Sequence, residues 1–132
     1  MLEDSKAFSG FAVDDMDEAK KFYGETLGLK VTVIDEDNDL VQVDLAGERP
    51  TVIYPKPNHR PANYTIVNFP VDDIDATVDE LASRGVSFEH YEEFEQDEKG
   101  ISRGGAGPKI AWFKDPAGNI LSVLEEQPIT PA

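Results

Sequence analysis

This 132-residue sequence is poor in histidine and cysteine, the side chains that most often carry acid–base, nucleophilic or transition-metal chemistry. There are two histidines, His59 and His90, and no cysteine. The missing thiol excludes disulfides, thiolate nucleophiles and cysteine-ligated zinc or iron–sulfur sites. A catalytic site built from side chains alone would use His59 or Tyr54 as the acid or base, with Lys56 or Arg103 to stabilise an oxyanion. No regular spacing links these residues, so they are candidates without a motif.

The charge of the chain limits its partners. Twelve Lys and Arg residues against 27 Asp and Glu residues give a formal net charge of -15, which repels nucleic acid and anionic membranes. We therefore predict neither as a partner. The acidic residues either solubilise the surface or attract a cationic ligand. No apolar run reaches the length of a membrane span, and the start MLEDSKAFSG is unlike a secretory signal, so we expect a cytoplasmic location.

An internal repeat organises the chain. The segment FAVDDMD at residues 11–17 returns as FPVDDID at residues 69–75, with five of seven positions identical. Each copy follows a β-like stretch and opens a helix-like stretch, so the repeat covers a supersecondary unit. The sequence therefore predicts two similar halves.

Each half is predicted to follow the order β-α-β-β-β. In the first half, Asp15 is the expected N-cap of one amphipathic helix that runs to Leu27 and stops at Gly28. In the second half, the helix stops at Gly85. Strands are predicted at Phe8 to Val13, Leu29 to Ile34, Leu40 to Leu45, Thr51 to Tyr54, Tyr64 to Phe69, Val86 to Tyr91, Ile110 to Lys114 and Ile120 to Leu124.

Two segments lie outside this regular plan. The proline-rich stretch 55–63 is predicted to be a stiff connector between modules at about 6–55 and 63–126 of a single domain. The segment 92–107, EEFEQDEKGISRGGAG, is long, charged and glycine-rich where a short hairpin turn would suffice. Loops of this length are often functional. The segment is therefore either a lid over a pocket or a surface excursion.

Three motifs carry a resemblance to a known family. A strand ending in Val-x-Asp, a helix ending near FYGETLGL and a final WFKDPAGNILSVLEE together resemble the vicinal oxygen chelate superfamily. Its members include glyoxalase I, bleomycin-resistance proteins and extradiol dioxygenases. The resemblance spans Phe8 to Glu126 and implies an α+β fold. In that fold, two tandem βαβββ modules form a curved, cleft-bearing mixed sheet with the helices outside. It also implies a homodimer.

The resemblance also implies where a metal ion would bind. Metal-dependent relatives take one ligand from the first strand and one from the last strand of each half, commonly His or Glu. Transferred to this chain, those positions fall on Phe8, Val52 or Ile53, Ile66 and Ser122. Apolar side chains and a single hydroxyl are poor ligands for a divalent cation. We therefore expect no metal ion and no other cofactor.

The cleft that the resemblance implies would be largely apolar, which suits a small organic ligand. Its expected lining residues are Phe8, Tyr54, Lys56, Ile66, Asn68, Arg103, Trp112 and Ser122. Trp112 and Tyr64 are either walls of this cleft or parts of the core. We predict a metal-free small-molecule binding protein. The alternatives are a lyase, isomerase or dioxygenase of the same superfamily that uses Tyr54, His59 or an atypical metal site, and a structural role with a vestigial cleft.

Overall fold

The computed structural model describes residues 1–46, 49–104 and 107–125. Parts of the predicted turn at 46–50 and of the segment 92–107, and residue 126 at the end of the second module, lie outside these ranges. The chain divides into two compact units, Met1–Arg60 and Pro61–Ala132. Both units combine helix with a mixed β-sheet, so the predicted α+β class is confirmed. None of the helices in the described ranges is long and apolar enough to cross a membrane.

The first unit contains a four-stranded sheet of order β1-β4-β3-β2. The β1–β4 pair is parallel and the other two pairs are antiparallel. Its elements are β1 (Ser9–Val13), α1 (Met16–Lys21), a π-helical segment (Phe22–Thr26), β2 (Lys30–Asp35), β3 (Leu40–Leu45) and β4 (Arg49–Pro55).

The first helix begins as predicted but does not stay α-helical. The carboxylate of Asp15 accepts a hydrogen bond from the backbone N–H of Glu18 at 3.2 Å, which caps the helix. From Phe22 the hydrogen bonds lengthen to an i to i+5 pattern, with the Leu27 N–H donating to the Phe22 carbonyl at 2.9 Å. The predicted helix is therefore present, but its last turn is π-helical and not α-helical. That turn contains Gly24, and glycine forms α-helix poorly.

The second unit contains a three-stranded sheet of order β5-β7-β6. The β5–β7 pair is parallel and the β6–β7 pair is antiparallel. Its elements are β5 (Thr65–Val71), α2 (Ile74–Ser83), β6 (Ile110–Lys114) and β7 (Ile120–Glu125). Asp73 caps α2 in the same way as Asp15 caps α1, by accepting from the Ala76 N–H at 3.1 Å. The repeated Asp-Asp motif thus starts a helix in each unit.

The predicted strand from Val86 to Tyr91 is wrong. Within this segment, Phe88 forms an isolated bridge to Phe113 of β6 and the Glu89 N–H donates to the Trp112 carbonyl at 2.8 Å, but no strand forms. The physical reason is the side chain of Gln96, which accepts from the Tyr91 N–H at 2.7 Å and donates to the Glu89 carbonyl at 2.9 Å. These backbone groups are satisfied by a side chain, so they do not extend a ladder beside the sheet.

Candidate functional site

The second unit contains a pocket of about 480 Å³ with aromatic walls. It is lined by Asn63, Tyr64, Thr65, Tyr91, Glu93, Phe94, Trp112 and Ile120. This volume lies within the range of about 300 to 1,000 Å³ that is common for small-molecule sites. Glu93 supplies the charged side chain of this lining, and it is exposed.

One face of the β5-β7-β6 sheet supplies the floor of the pocket. Thr65 and Ile120 are register partners on β5 and β7, and Trp112 on β6 pairs with Ser122, two residues beyond Ile120. Because paired residues and alternate residues share a face, Thr65, Ile120 and Trp112 lie on the same side of the sheet. The opposite side carries Leu121 and other fully buried residues of the core.

The indole of Trp112 is the centre of the aromatic wall. The ring of Phe94 covers it at a centroid distance of 4.8 Å and an interplanar angle of 31°. The ring of Tyr91 meets it edge-on at 5.5 Å and 73°. Trp112 is 9% exposed, whereas Phe94 and Tyr64 are 49% and 61% exposed. Two rings of the lining therefore offer large apolar surfaces to solvent, which is typical of binding sites.

The hydroxyl oxygen of Tyr91 is buried, although the side chain as a whole is only half-buried. Its hydroxyl makes no hydrogen bond within the described part of the chain. Burial raises the pKa of Tyr91, and the negative charge of Glu89 raises it further. That carboxylate is paired with the Lys114 ammonium at 3.2 Å. The phenol therefore stays protonated and is a donor whose desolvation is uncompensated.

The segment that carries Tyr91, Glu93 and Phe94 is held by side-chain hydrogen bonds. Besides its two bonds to Tyr91 and Glu89, Gln96 donates to the Gly100 carbonyl at 2.6 Å. Ile101 in the same segment is fully buried. The segment is thus an ordered wall of the pocket over the residues that the structure describes.

Asn68 and Ser122 form a polar pair beside the pocket. The Ser122 hydroxyl, which has no exposed surface, donates to the Asn68 Oδ1 at 2.6 Å. Asn68, Ser122 and Trp112 are successive register partners across β5, β7 and β6. The structure therefore brings three of the eight predicted lining residues together in one row on the pocket side of the sheet.

Arg103 lies in an ion-pair cluster against α2. Its guanidinium donates to the carboxylates of Asp75 and Asp97, and Lys99 pairs with Asp75 and Asp79. These hydrogen bonds, which the guanidinium donates first to Asp75 and then to Asp97, raise the pKa of Arg103 above its ordinary value. This cluster ties the segment that forms the pocket wall to the helix.

The remaining predicted residues are distributed over both units. Ile66 lies in the second unit, at a register shift between β5 and β7. Tyr54 is the second-last residue of β4 and pairs with Ala12, and Lys56 donates its backbone N–H to the Val13 carbonyl at 2.8 Å. Phe8 precedes β1 and is 63% exposed, and His59 is half-buried. Ile66 is thus the one residue of this group in the second unit; the other four belong to the first unit. These four are Phe8, Tyr54, Lys56 and His59.

The residues at the four implied ligand positions do not fit a divalent metal ion. Phe8, Val52, Ile53 and Ile66 carry no donor atom in the side chain. The Ser122 hydroxyl donates a hydrogen bond to the Asn68 Oδ1. Across residues 1–46, 49–104 and 107–125, no group of three or more His, Asp or Glu side chains is arranged to hold a metal ion. No metal-dependent step is therefore derived from these residues.

Sequence reasoning missed most of the pocket wall. Tyr91, Glu93 and Phe94 fall in a segment that was predicted partly as strand and partly as loop. The available signal was the alternation of aromatic and acidic residues in EHYEEFEQ at 89–96. The sequence allows Tyr64 either a wall or a core position; in the structure its ring is 61% exposed and lines the pocket.

Three solved structures illustrate the similarity of the chain to known proteins. A Glyoxalase/bleomycin resistance protein/dioxygenase superfamily member from Sphaerobacter thermophilus DSM 20745 is 24% identical, with a TM-score of 0.68 over 91% of this chain and 97% of that chain. TnmS3, an antibiotic binding protein from Streptomyces sp. CB03234, is 24% identical, with a TM-score of 0.67 over 92% and 96%. The fosfomycin resistance protein FosX from Listeria monocytogenes is 12% identical, with a TM-score of 0.70 over 92% of each chain.

At these identities the structures show a shared fold alone. No curated protein matches the sequence significantly. The family assignment comes from the family model, which matches residues 8–123. The chain belongs to the Glyoxalase/Bleomycin resistance protein/Dioxygenase superfamily.

Proposed function

We propose that the protein binds a small organic molecule through a flat, positively charged aromatic group, in the pocket of the second unit and without a metal ion. The observation that carries this proposal is the set of aromatic rings, Tyr64, Tyr91, Phe94 and Trp112, around a space of about 480 Å³. Aromatic faces attract cations, and each such contact contributes about 0.5 to 2 kcal/mol.

Charge supports a cationic ligand over an anionic one. Glu93 lies in the lining, and the whole chain has a formal net charge of -15. A negative field concentrates cations at a site and repels anions. A surface whose acidic residues only solubilise the chain would also explain the charge. It would not explain why the rings of Phe94 and Tyr64 are exposed in the pocket lining.

The names of two structural neighbours support small-molecule binding in a general way. TnmS3 is described as an antibiotic binding protein and FosX as a fosfomycin resistance protein. We propose by analogy that the ligand of this chain is a small molecule of comparable kind. The candidates for the enzymatic alternative, Tyr54 and His59, belong to the first unit, whereas the residues that line this pocket belong to the second.

Trp112 is the single tryptophan of the chain, so its fluorescence reports on this pocket. The test titrates the protein with 1-methylquinolinium, with neutral 1-methylnaphthalene and with naphthalene-1-sulfonate. We expect saturable quenching that is strongest for the cation and weakest for the anion. Phe94→Ala is expected to weaken binding of the cation by about three- to tenfold, from the loss of one aromatic contact.

Ile34→Ala is the matched control, because Ile34 is about as exposed as Phe94, at 47% and 49%, and does not line this pocket. It is expected to leave the affinity unchanged. Absence of saturable quenching by any of the three compounds, or equal losses in Phe94→Ala and Ile34→Ala, refutes the proposal.

Metal independence, oligomeric state and location belong to the same proposal. We propose that binding needs no cofactor, that the protein forms a homodimer in the cytoplasm, and that nucleic acid and membranes are not its partners. The affinity for 1-methylquinolinium should be the same with and without EDTA. Elemental analysis that finds a stoichiometric metal ion would refute metal independence, and light scattering decides between monomer and dimer.

A further inference from the structure

The hydrogen-bond pair of Asn68 and Ser122 has a defined direction. A buried hydroxyl hydrogen needs an acceptor, and the hydroxyl of Ser122 meets the Asn68 amide at 2.6 Å. The amide oxygen therefore faces Ser122, and the amide nitrogen lies on the side away from it. Asn68 itself is exposed, and its Nδ2 donates to no group within the described part of the chain.

Asn68 lies on the same face of the sheet as the residues that form the floor of the pocket. The register shift at Ile66 places Thr65 and Asn68, three residues apart on β5, on the same face of the sheet. Thr65 lines the pocket, and Trp112 lies in the same row as Asn68 two strands away. Adjacent strands are spaced by about 4.8 Å, so Asn68 lies about 9 to 10 Å from Trp112 across the sheet.

We infer that Asn68 is a specificity-determining residue that donates a hydrogen bond to the ligand, and that Ser122 is the residue that positions it. The ligand then carries an uncharged acceptor, such as a carbonyl oxygen, about 9 to 10 Å from the aromatic group that meets the pocket rings. An anionic acceptor would be opposed by the formal net charge of -15. The inference rests on the proposed function, since it concerns the same ligand.

The test uses two matched probes. One is a 1-alkylquinolinium cation whose chain ends in an N,N-dimethylamide about 9 Å from the ring, the span expected from the strand spacing. The other ends in an isobutyl group of the same shape. We expect the wild-type protein to prefer the amide probe by about three- to tenfold, the value of one hydrogen bond.

Three variants test the donor role of Asn68 separately from the positioning role of Ser122. Asn68→Leu should abolish the preference, and Ser122→Ala should reduce it because the amide is no longer oriented. Asn58→Leu removes another exposed asparagine amide, outside the second unit, and should keep the preference. In ¹⁵N spectra of the wild-type protein, the side-chain amide of Asn68 should shift with the amide probe and stay unchanged with the isobutyl probe, a result independent of the stability of any variant.

The outcomes distinguish this inference from the proposed function. Equal affinities for the two probes, or a preference that survives in Asn68→Leu, overturn the role of Asn68 while the proposed function stands. A full preference in Ser122→Ala overturns the positioning role of Ser122. If neither probe binds, the proposed function fails and this inference fails with it.

Discussion

Gln96 offers the sharpest test of how the pocket wall is built. Its side chain accepts from the Tyr91 N–H and donates to the carbonyls of Glu89 and Gly100, at distances of 2.6 to 2.9 Å. Tyr91 lines the pocket, and the lining residue Phe94 lies between Tyr91 and Gln96 in the sequence. Gln96→Leu keeps the size of the side chain and removes all three hydrogen bonds.

The expected loss of stability follows from these bonds. Each hydrogen bond contributes about 1 kcal/mol net, and backbone groups left unpaired add a desolvation cost, so Gln96→Leu should lower the free energy of unfolding by about 2 to 4 kcal/mol. Gln96→Glu is the matched variant. It keeps an acceptor for Tyr91 but turns a carboxylate oxygen toward two carbonyl oxygens. Repulsion favours the protonated acid, so this variant should regain stability relative to the wild type as the pH falls.

Urea unfolding followed by Trp112 fluorescence measures these changes, and titration with 1-methylquinolinium measures the pocket. We expect both variants to lose stability at neutral pH and to bind the cation more weakly, because Phe94 is no longer held over Trp112. A loss below about 1 kcal/mol in Gln96→Leu, the worth of one hydrogen bond, would refute the idea that this side chain organises the segment. A pH-independent defect in Gln96→Glu would refute the assigned donor geometry.

Three further predictions concern the backbone strain at two glycines, the hydrogen bond between Arg103 and Asp75, and the effect of salt on the melting temperature. Gly100 and Gly85 have similar φ angles of 91° and 93°, so alanine at either position should cost about 1 kcal/mol of backbone strain. Of the two, only Gly100 would bring an added Cβ against a neighbour, Phe88 at 3.1 Å. Thermal unfolding should therefore show a larger loss of stability for Gly100→Ala than for Gly85→Ala. Hydrogen bonding by Arg103 lowers the pKa of Asp75, so Arg103→Gln should raise that pKa toward its ordinary value. A carboxyl NMR titration measures this change, and an unchanged pKa would contradict the hydrogen bond between Arg103 and Asp75. Added NaCl should raise the melting temperature, because it screens a formal net charge of -15; a fall would mean that ion pairs dominate.

The parts of the fold that depend on local chemistry were predictable from the sequence. The repeated Asp-Asp motif predicted two helix starts, and Asp15 and Asp73 accept hydrogen bonds at both. Gly28 and Gly85 follow the helical segments with positive φ angles, as left-handed stops require. The turn from Asp115 to Asn119 is closed by the Asp115 carboxylate, which accepts from the Asn119 N–H at 2.8 Å. Each of these interactions joins residues at most a few positions apart.

The pocket depends on interactions that no local pattern encodes. The segment from Val86 to Tyr91 has the composition of a strand, but the side chain of Gln96 competes for its backbone groups. The spacing of apolar residues cannot predict that competition, because a glutamine in an acidic loop is expected to be exposed to solvent. The same competition accounts for a structural difference between the two halves of the repeat. Where the first unit completes its sheet with regular strands, the second replaces one strand with an ordered segment that holds Phe94 against Trp112. The departure from the repeat, and not the repeat itself, therefore builds the candidate site.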